Sequence, residues 1–471
     1  MPEDVRVLRL GDMVLRRKGS PAQRLVQAVI SVALRLFFRR IETSRAGLVP
    51  TSGALVFVLN HPNGLIDPGL VFAALPRRIS FLAKSTLFRL PVAGWLLRTV
   101  EALPLYRRAD PGEDVSQNLL TFEACRRLLL RGRCIALFPE GVSHNAPKLQ
   151  PIKTGAARIA LGSSVPGLKI APAGLYYTSK TSFRGEALLR FGEPLDVPVV
   201  EPDADGEPPR EAVRELSAHI EAALRDVTLN VESEEQLDAA RKAERLFSSV
   251  YEGMNVRLPL AERFDFLRRL SAQLFARLSA AKDSEELRQR ILRHEAELAR
   301  TGITPENLSL SRHSRWYVLR HFLLRAALLL ALSPLTVVGA LLHLPAYLVC
   351  TLLARLFPRH GVDEIAPTVK ILAAMLLMPL TWLAVSAYAF VRWGWPAALA
   401  ALPLVILCGY VALRSLEELY DMRGWFKALL LLARRRQLFL RLLIERRALR
   451  DALSRMETPG ADGSGDIISP R

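Results

Sequence analysis

Ala54-Leu55-Val56-Phe57-Val58-Leu59-Asn60-His61-Pro62-Asn63-Gly64-Leu65-Ile66-Asp67-Pro68 is the stretch that decides how the chain is read. Its apolar opening, residues 54–59, has the length and composition of a strand buried on both faces. The polar residues that follow, with Pro and Gly shaping the turn, fall where such a strand reaches the rim of its sheet. In open α/β sheets that rim is where ligands bind. His61 and Asp67 are therefore a candidate base and its orienting carboxylate. Alone, a His and an Asp this close in sequence are a weak signal.

Outward from this stretch, residues 41–198 alternate apolar runs with amphipathic ones. Strands are expected at 54–59, 79–83, 100–105, 134–138, 168–173 and 187–191, with helices notably at 113–131 and 151–163. That is the pattern of an α/β domain, one sheet flanked by helices. Residues 1–40 read as an N-terminal lead-in and a helix. The first twenty or so lack the early apolar core of a signal peptide. Residues 21–41 place Phe, Leu and Arg on different helical faces and are too interrupted by Arg to span a bilayer. This segment fits an interfacial helix or one packed on the domain.

Residues 199–209, dense in Pro, Gly and acids, read as a linker. Residues 210–315 are charged and helical, and His219 and His294 are expected on solvated faces. The composition then changes, and 326–413 read as membrane-embedded helices. Within it, 371–391 and 397–413 make a natural hairpin. The run broken by Pro334 and Pro345 is expected to re-enter or to form a second hairpin. An even number of crossings keeps the basic N-terminal domain and the Arg-rich tail together in the cytosol. Residues 414–457 read as a basic amphipathic helix lying on the membrane surface, and 458–471 as a disordered tail.

Half of the 471 residues are hydrophobic, yet the formal net charge is +18. That pairing suggests a membrane with an anionic surface, or anionic substrates. Nucleic acid is not expected as a partner, because the arginines are scattered among Leu and Ala and no nucleic-acid motif is present. Cys125, Cys134, Cys350 and Cys408 lack metal or redox spacing and read as small buried hydrophobes in a reducing compartment. No His/Cys/Asp/Glu cluster has ligand spacing, so neither a metal nor a cofactor is expected. Residue usage heavy in Arg and Ala and poor in Lys and Asn points to a GC-rich bacterial source, hence the inner membrane rather than the endoplasmic reticulum.

Three further segments carry polar groups at strand ends: Leu103-Pro104-Leu105-Tyr106-Arg107-Arg108, Phe138-Pro139-Glu140-Gly141-Val142-Ser143-His144, and Ile170-Ala171-Pro172-Ala173-Gly174-Leu175-Tyr176-Tyr177. Ser143-His144 does not read as a hydrolase pair, since neighbours on an extended chain point apart and no Gly-x-Ser-x-Gly elbow is present. Taken in order, the four blocks resemble the motif set of the glycerolipid acyltransferases of the PlsC, lysophosphatidate acyltransferase-like type. The resemblance spans about residues 40–195, and the order and spacing of all four blocks make it specific. Residues 138–161 look closest to the branch of glycerol-3-phosphate and dihydroxyacetone-phosphate acyltransferases, which also carries hydrophobic segments after the catalytic domain. Two departures stand out. Five residues, not the usual four, separate His61 from Asp67. Val142-Ser143 stand where many members have Thr-Arg, so the family's phosphate-binding Arg is missing from that block.

The resemblance implies an α/β acyltransferase domain at 41–198, followed by a helical region and C-terminal membrane helices. It implies an enzyme of phospholipid biosynthesis that moves an acyl chain from acyl-CoA or acyl carrier protein to glycerol 3-phosphate or dihydroxyacetone phosphate. His61 would be the base and Asp67 its orienter, with no covalent acyl-enzyme. Phosphate binding would fall on Arg107, Lys153 or His144 with the backbone at Gly141. Glu140 would bind substrate hydroxyls or hold Arg107, and Lys84 would face the acyl donor or lipid headgroups. Anionic membrane lipids are the remaining expected partners. Lysophosphatidate or another lysolipid is the rival acceptor, and a non-catalytic membrane-associated scaffold is the rival of another class.

Overall fold

The structure, a computed structural model, describes residues 4–15, 19–75, 77–107, 110, 112–144, 146–180, 183–251, 258–278, 282–312, 315–356 and 362–457. Arg108 and the tail 458–471 lie outside the described residues. The chain divides into two compact units, Met1–Asn230 with Val349–Met375, and Val231–Leu348 with Leu376–Arg471.

The first unit is built on a mixed nine-stranded sheet. The strands are β1 Val5–Val7, β2 Arg40–Ser44, β3 Leu55–Leu59, β4 Ile79–Lys84, β5 Leu103–Leu105, β6 Cys134–Leu137, β7 Lys169–Tyr177, β8 Glu186–Phe191 and β9 Leu195–Asp196. Their order is β1-β2-β8-β7-β3-β6-β4-β5, with β9 paired to β7. β7, β3, β6, β4 and β5 run parallel, so their C-terminal ends share one rim. Helices α1 Leu10–Leu15, α2 Pro21–Phe37, α3 Ile66–Ala74, α4 Pro91–Thr99, α5 Asn118–Leu130, α6 Gly155–Gly162 and α7 Arg210–Val227 complete the unit.

β3 is buried along its whole length, and its side chains alternate between two cores. Leu55, Phe57 and Leu59 pack with Leu34, Phe37, Leu70 and Val71. Val56 and Val58 pack with Cys125, Leu129, Ile159, Ile220 and Leu224 on the other side. Burial pushes the Cys125 thiol up to about 12 and the Cys134 thiol to about 11. Both are core residues with no thiolate chemistry at neutral pH.

Three expectations are corrected in this unit. The lead-in is structured: β1 pairs antiparallel with β2, and Met13 on α1 is fully buried. These pieces are 3 and 6 residues long, too short to show a periodicity. The strand expected at 100–105 is confined to Leu103–Leu105, because Pro91 opens α4 just before it. β5 is a sheet edge, where Pro104 is tolerated. Finally, the unit does not end at the 199–209 linker. α7 buries Val213, Leu216, Ile220, Leu224 and Val227 against the sheet, each worth roughly 1.5–3 kcal/mol. A Cβ on Gly174 would come within 2.0 Å of the Val227 carbonyl oxygen, so only glycine lets β7 and α7 approach this closely.

The helices that follow are α8 Glu234–Tyr251, α9 Leu260–Leu278, α10 Lys282–Thr301, α11 Arg315–Leu356, α12 Val362–Trp393, α13 Trp395–Arg434 and α14 Arg436–Glu457. In the second unit, Ala243, Leu246, Phe266, Leu270, Leu287, Ile291, Leu449 and Leu453 form one core. Leu298, Leu308, Val318, Ala428, Phe439 and Leu442 share another. The apolar face of α14, expected on a membrane surface, is thus covered by protein. Its amphipathic pattern suits either fate, and α8, α9 and α10 supply the cover. His294, expected on a solvated face, is only 2% exposed. Burial holds its imidazole below the usual range, and neither ring nitrogen has a hydrogen-bond partner among the described residues.

α11 is one continuous 42-residue helix with Pro334 and Pro345 inside it, not the broken pair expected. Proline bends a helix without ending it where neighbouring helices compensate. Trp316–Leu356, Val369–Trp393 and Trp395–Arg434 are each long and apolar enough to cross a membrane. α13 also continues past residue 413 into the charged segment. α11 and α13 meet through Gly339 against Cys408 and Ala412, a hydrogen bond of 2.9 Å from Thr336 to Ser415, and an ion pair of 2.7 Å between Arg325 and Glu418. Small residues and side-chain hydrogen bonds are how helices associate in lipid. His343 donates from Nδ1 to the Gly339 carbonyl at 2.8 Å and accepts the Trp382 indole N–H at 2.9 Å.

Candidate active site

Where β3 ends, Asn60 is pinned to the neighbouring strand. Its amide donates to the Leu175 carbonyl at 3.1 Å and accepts the Leu175 N–H at 2.7 Å. The chain then turns, with the Ile66 N–H on the Asn63 carbonyl at 2.9 Å, and enters α3. Asp67 lies in the first turn of α3, where the helix dipole favours a carboxylate. The longer His-to-Asp spacing is taken up in this turn.

His61 Nδ1 and Asp67 Oδ2 are 2.8 Å apart. The same carboxylate oxygen accepts the Asn63 N–H at 2.7 Å, and Oδ1 accepts the Tyr177 hydroxyl at 2.7 Å. Asp67 is fully buried, whereas the His61 side chain keeps 18% of its surface exposed. The imidazole stacks on Phe138, ring centres 4.1 Å apart and planes 15° from parallel. With Nδ1–H given to Asp67, the ring presents its lone pair at Nε2. Burial, and then the charge of Asp67, raise the Tyr177 phenol well above its ordinary value, so it remains a donor.

The block after β6 supports this loop. Glu140 accepts the His61 backbone N–H at 2.9 Å and the Gln150 N–H at 2.8 Å, and its second oxygen also engages His144 Nε2. The His144 N–H bonds to the His61 carbonyl at 3.2 Å. Arg107 is not among the hydrogen-bond partners of Glu140 in the described residues, and only 3% of Glu140 is exposed. It ties the His61 backbone to the neighbouring loop.

Arg107 is held elsewhere. Nε and Nη2 bond both oxygens of Asp110, at 3.0 and 3.1 Å, and Nη1 donates to the Gly141 carbonyl at 2.7 Å. Lys84 reaches Asp110 at 2.8 Å. The hydrogen bonds from Arg107 are the largest cause holding the Asp110 carboxyl below the usual range. Gly141 has φ +74°, and a Cβ there would meet Lys153 Nζ at 2.5 Å, so the ammonium lies against this turn. Arg107, Gly141 and Lys153 thus converge, with Lys84 across Asp110 and His144 on Glu140. Sequence reasoning missed Tyr177, Asp110, Asn60 and Gln150 as site residues. Tyr177 had a signal, its place in the fourth block on the same strand face as Ala173 and Leu175. Asp110, in an unpatterned loop, had none. Among the described residues, no group of three or more His, Cys, Asp or Glu is placed to hold a metal.

Residues 40–176, which contain all these groups except Tyr177, match the Acyltransferase family, and residues 243–456 match the Glycerol-3-phosphate acyltransferase 2 C-terminal domain. The chain thus carries an acyltransferase-family domain followed by a domain of the glycerol-3-phosphate acyltransferase 2 C-terminal family. The chain is 29% identical over 288 residues to Glycerol-3-phosphate O-acyltransferase 2 of Saccharomyces cerevisiae, covering 57% of this chain and 38% of the relative. It is 25% identical over 409 residues to an uncharacterized acyltransferase of Schizosaccharomyces pombe, covering 68% of this chain and 60% of that one. A chloroplastic 1-acyl-sn-glycerol-3-phosphate acyltransferase of Brassica napus is 29% identical over 164 residues, 35% of this chain and 45% of its own. The chain therefore spans only part of the length of these relatives. Its second matched region runs from α8 into α14, so the helical bundle and the apolar helices belong to one family domain.

Proposed function

We propose that this acyltransferase moves a fatty acyl chain from a thioester, acyl-CoA or acyl carrier protein, to a hydroxyl of glycerol 3-phosphate or dihydroxyacetone phosphate. The observation that carries the reading is the His61–Asp67 pair at the sheet rim, 2.8 Å apart, with the carboxylate buried and the imidazole reachable. His61 Nε2 takes the proton of the attacking hydroxyl as its oxygen bonds the thioester carbonyl carbon. The tetrahedral intermediate then expels the thiolate, which takes the proton back from the imidazolium. Asp67 stays ionised and stabilises the imidazolium between these steps. Arg107 and Lys153, converging on Gly141, suit the acceptor's phosphate.

Glycerol 3-phosphate is favoured over a lysolipid because relatives bearing that name match well beyond the catalytic segment, over 288 residues against 164 for the Brassica 1-acyl enzyme. The apolar helices keep the enzyme at the bilayer, where acyl chains and product reside. The net charge of +18 favours anionic lipid and anionic substrates, with the catalytic domain on the cytoplasmic side of a bacterial inner membrane.

The test is an acceptor panel. Purified full-length protein in lipid nanodiscs receives labelled acyl-CoA with glycerol 3-phosphate, dihydroxyacetone phosphate or lysophosphatidate in turn. Transfer to the first two is expected, and His61→Ala lowers it by about a thousandfold. Preference for lysophosphatidate overturns the acceptor. An unchanged rate in His61→Ala overturns the mechanism.

A further inference from the structure

We infer that Tyr177 is a positioning residue for the His61–Asp67 pair, its hydroxyl fixing the carboxylate that orients the base. The inference rests on the acyl-transfer reading above and gives a role to the residue that ends the fourth motif block, one position beyond the matched segment 40–176.

Strand length places it there. Leu59, the last residue of β3, sits opposite Ala173, and β7 runs on to Tyr177. β7 therefore overhangs the rim and reaches across the turn that carries His61. Alternation along the strand puts Ala171, Ala173, Leu175 and Tyr177 on one face, within the core that includes Leu70 and Val71 of α3. There the Tyr177 ring stacks on Phe38 at 5.5 Å, and only 3% of the residue is exposed. Phenylalanine would fill this space and keep the stack. What it would lack is the hydroxyl, 2.7 Å from Asp67 Oδ1.

Donor placement on Asp67 assigns the role. Oδ2 accepts from His61 Nδ1 and the Asn63 N–H, and Oδ1 accepts from Tyr177. A carboxylate held at one oxygen can rotate about χ2 and offer the base a different edge. A donor at each oxygen stops that rotation. The Tyr177 bond also draws negative charge toward Oδ1, away from the oxygen that faces His61. Removing it concentrates charge on Oδ2 and favours the imidazolium. The burial that keeps this phenol protonated makes it a donor throughout the working pH range. The other titratable and charged groups around the pair are Glu140 on the His61 N–H, His144 on the His61 carbonyl, and Arg107 and Lys153 at Gly141. Tyr177→Phe leaves all of these in place.

The experiment measures kcat, both KM values and the pH profile of kcat/KM for full-length Tyr177→Phe in nanodiscs, beside wild type and His61→Ala. The expected result is a kcat lower by about tenfold, the loss of one hydrogen bond to a charged group, with KM values unchanged. The acidic limb of the profile moves to higher pH. The position of that limb does not depend on the fraction of protein that folds. Incorporating a fluorinated tyrosine at 177, a stronger donor, moves the limb the other way. Wild-type kcat and profile in Tyr177→Phe overturn the inference, as does a lower kcat with an unmoved limb, which marks a merely structural residue. If His61→Ala retains full activity, the acyl-transfer reading fails and this inference falls with it. If only His61→Ala is inactive, the reading stands and Tyr177 alone is excluded.

Discussion

At the scale of single residues, the proposed site separates a proton-transfer half from an anion half. Asp67 serves the first and Asp110 the second, and each is a buried carboxylate with more than one donor. Asp110→Asn removes the charge that fixes Arg107 and Lys84. Acceptor KM is expected to rise by about tenfold with kcat nearly unchanged, because phosphate binding is the same in ground and transition states. Initial-rate kinetics with varied acceptor checks this. The Asp110 carboxyl is held below its ordinary value, so its stabilising contribution is complete above about pH 4 and is lost as pH falls through the folded value. His61, Asp67 and Arg107 were legible as candidates because they stand at strand ends in an ordered set of blocks. The partner of Arg107 was not. Glu140 in the Phe-Pro-Glu-Gly block was a natural candidate, but its carboxylate is taken by two backbone N–H groups and His144. Asp110 emerges only once the loop after β5 folds back.

At the scale of elements, strong periodicity was read correctly and short or ambiguous elements were not. β3 and β6 lie within a residue of expectation, since runs of buried apolar residues admit few alternatives. β1 and α1 were missed because nothing in so few residues distinguishes them from loop. α7 and α14 were recognised as amphipathic helices, but α7 was placed with the helices beyond the linker and α14 on a membrane surface, because an apolar stripe does not say whether sheet, helix or lipid will bury it. His294 on α10 shows the same limit and has a measurable consequence. Its folded imidazole is held below the ordinary value of about 6.5, so the unfolded chain binds the proton more readily. The stability it permits is complete above that pH and falls as the medium is acidified through the folded value. Thermal unfolding at pH 7.5 and 5.5 is expected to show a drop that His294→Leu reduces. An equal drop in the variant assigns the acid sensitivity to other groups.

For the whole molecule, the apolar helices set the constraint. Val318 near the start of α11 and Ala428 near the end of α13 share one core, so the chain leaves a helical bundle and returns to it. Single cysteines placed at Glu234, before α11, and at Arg436, after α13, in a background lacking the native thiols are expected to react with a membrane-impermeant reagent from the same side. Labelling from opposite sides overturns that reading. The charge argument in the sequence leads to an even number of crossings, whereas the described residues hold three helices long and apolar enough to span. The continuity of α11 through two prolines was not legible, because proline's local preference is overridden by helix neighbours that no single sequence window contains.

The overhang of β7 beyond β3 carries one more consequence. Because facing alternates along a strand, a slip of β7 by one residue would turn Tyr177 out of its core and present Tyr176 in its stead. The same slip would replace Gly174 beneath the Val227 carbonyl by a residue with a side chain, which that 2.0 Å approach forbids. A helix on the far face of the sheet thereby proofreads the pairing that brings Tyr177 to Asp67. One slip would cost the Tyr177–Asp67 bond and the seat of α7 together.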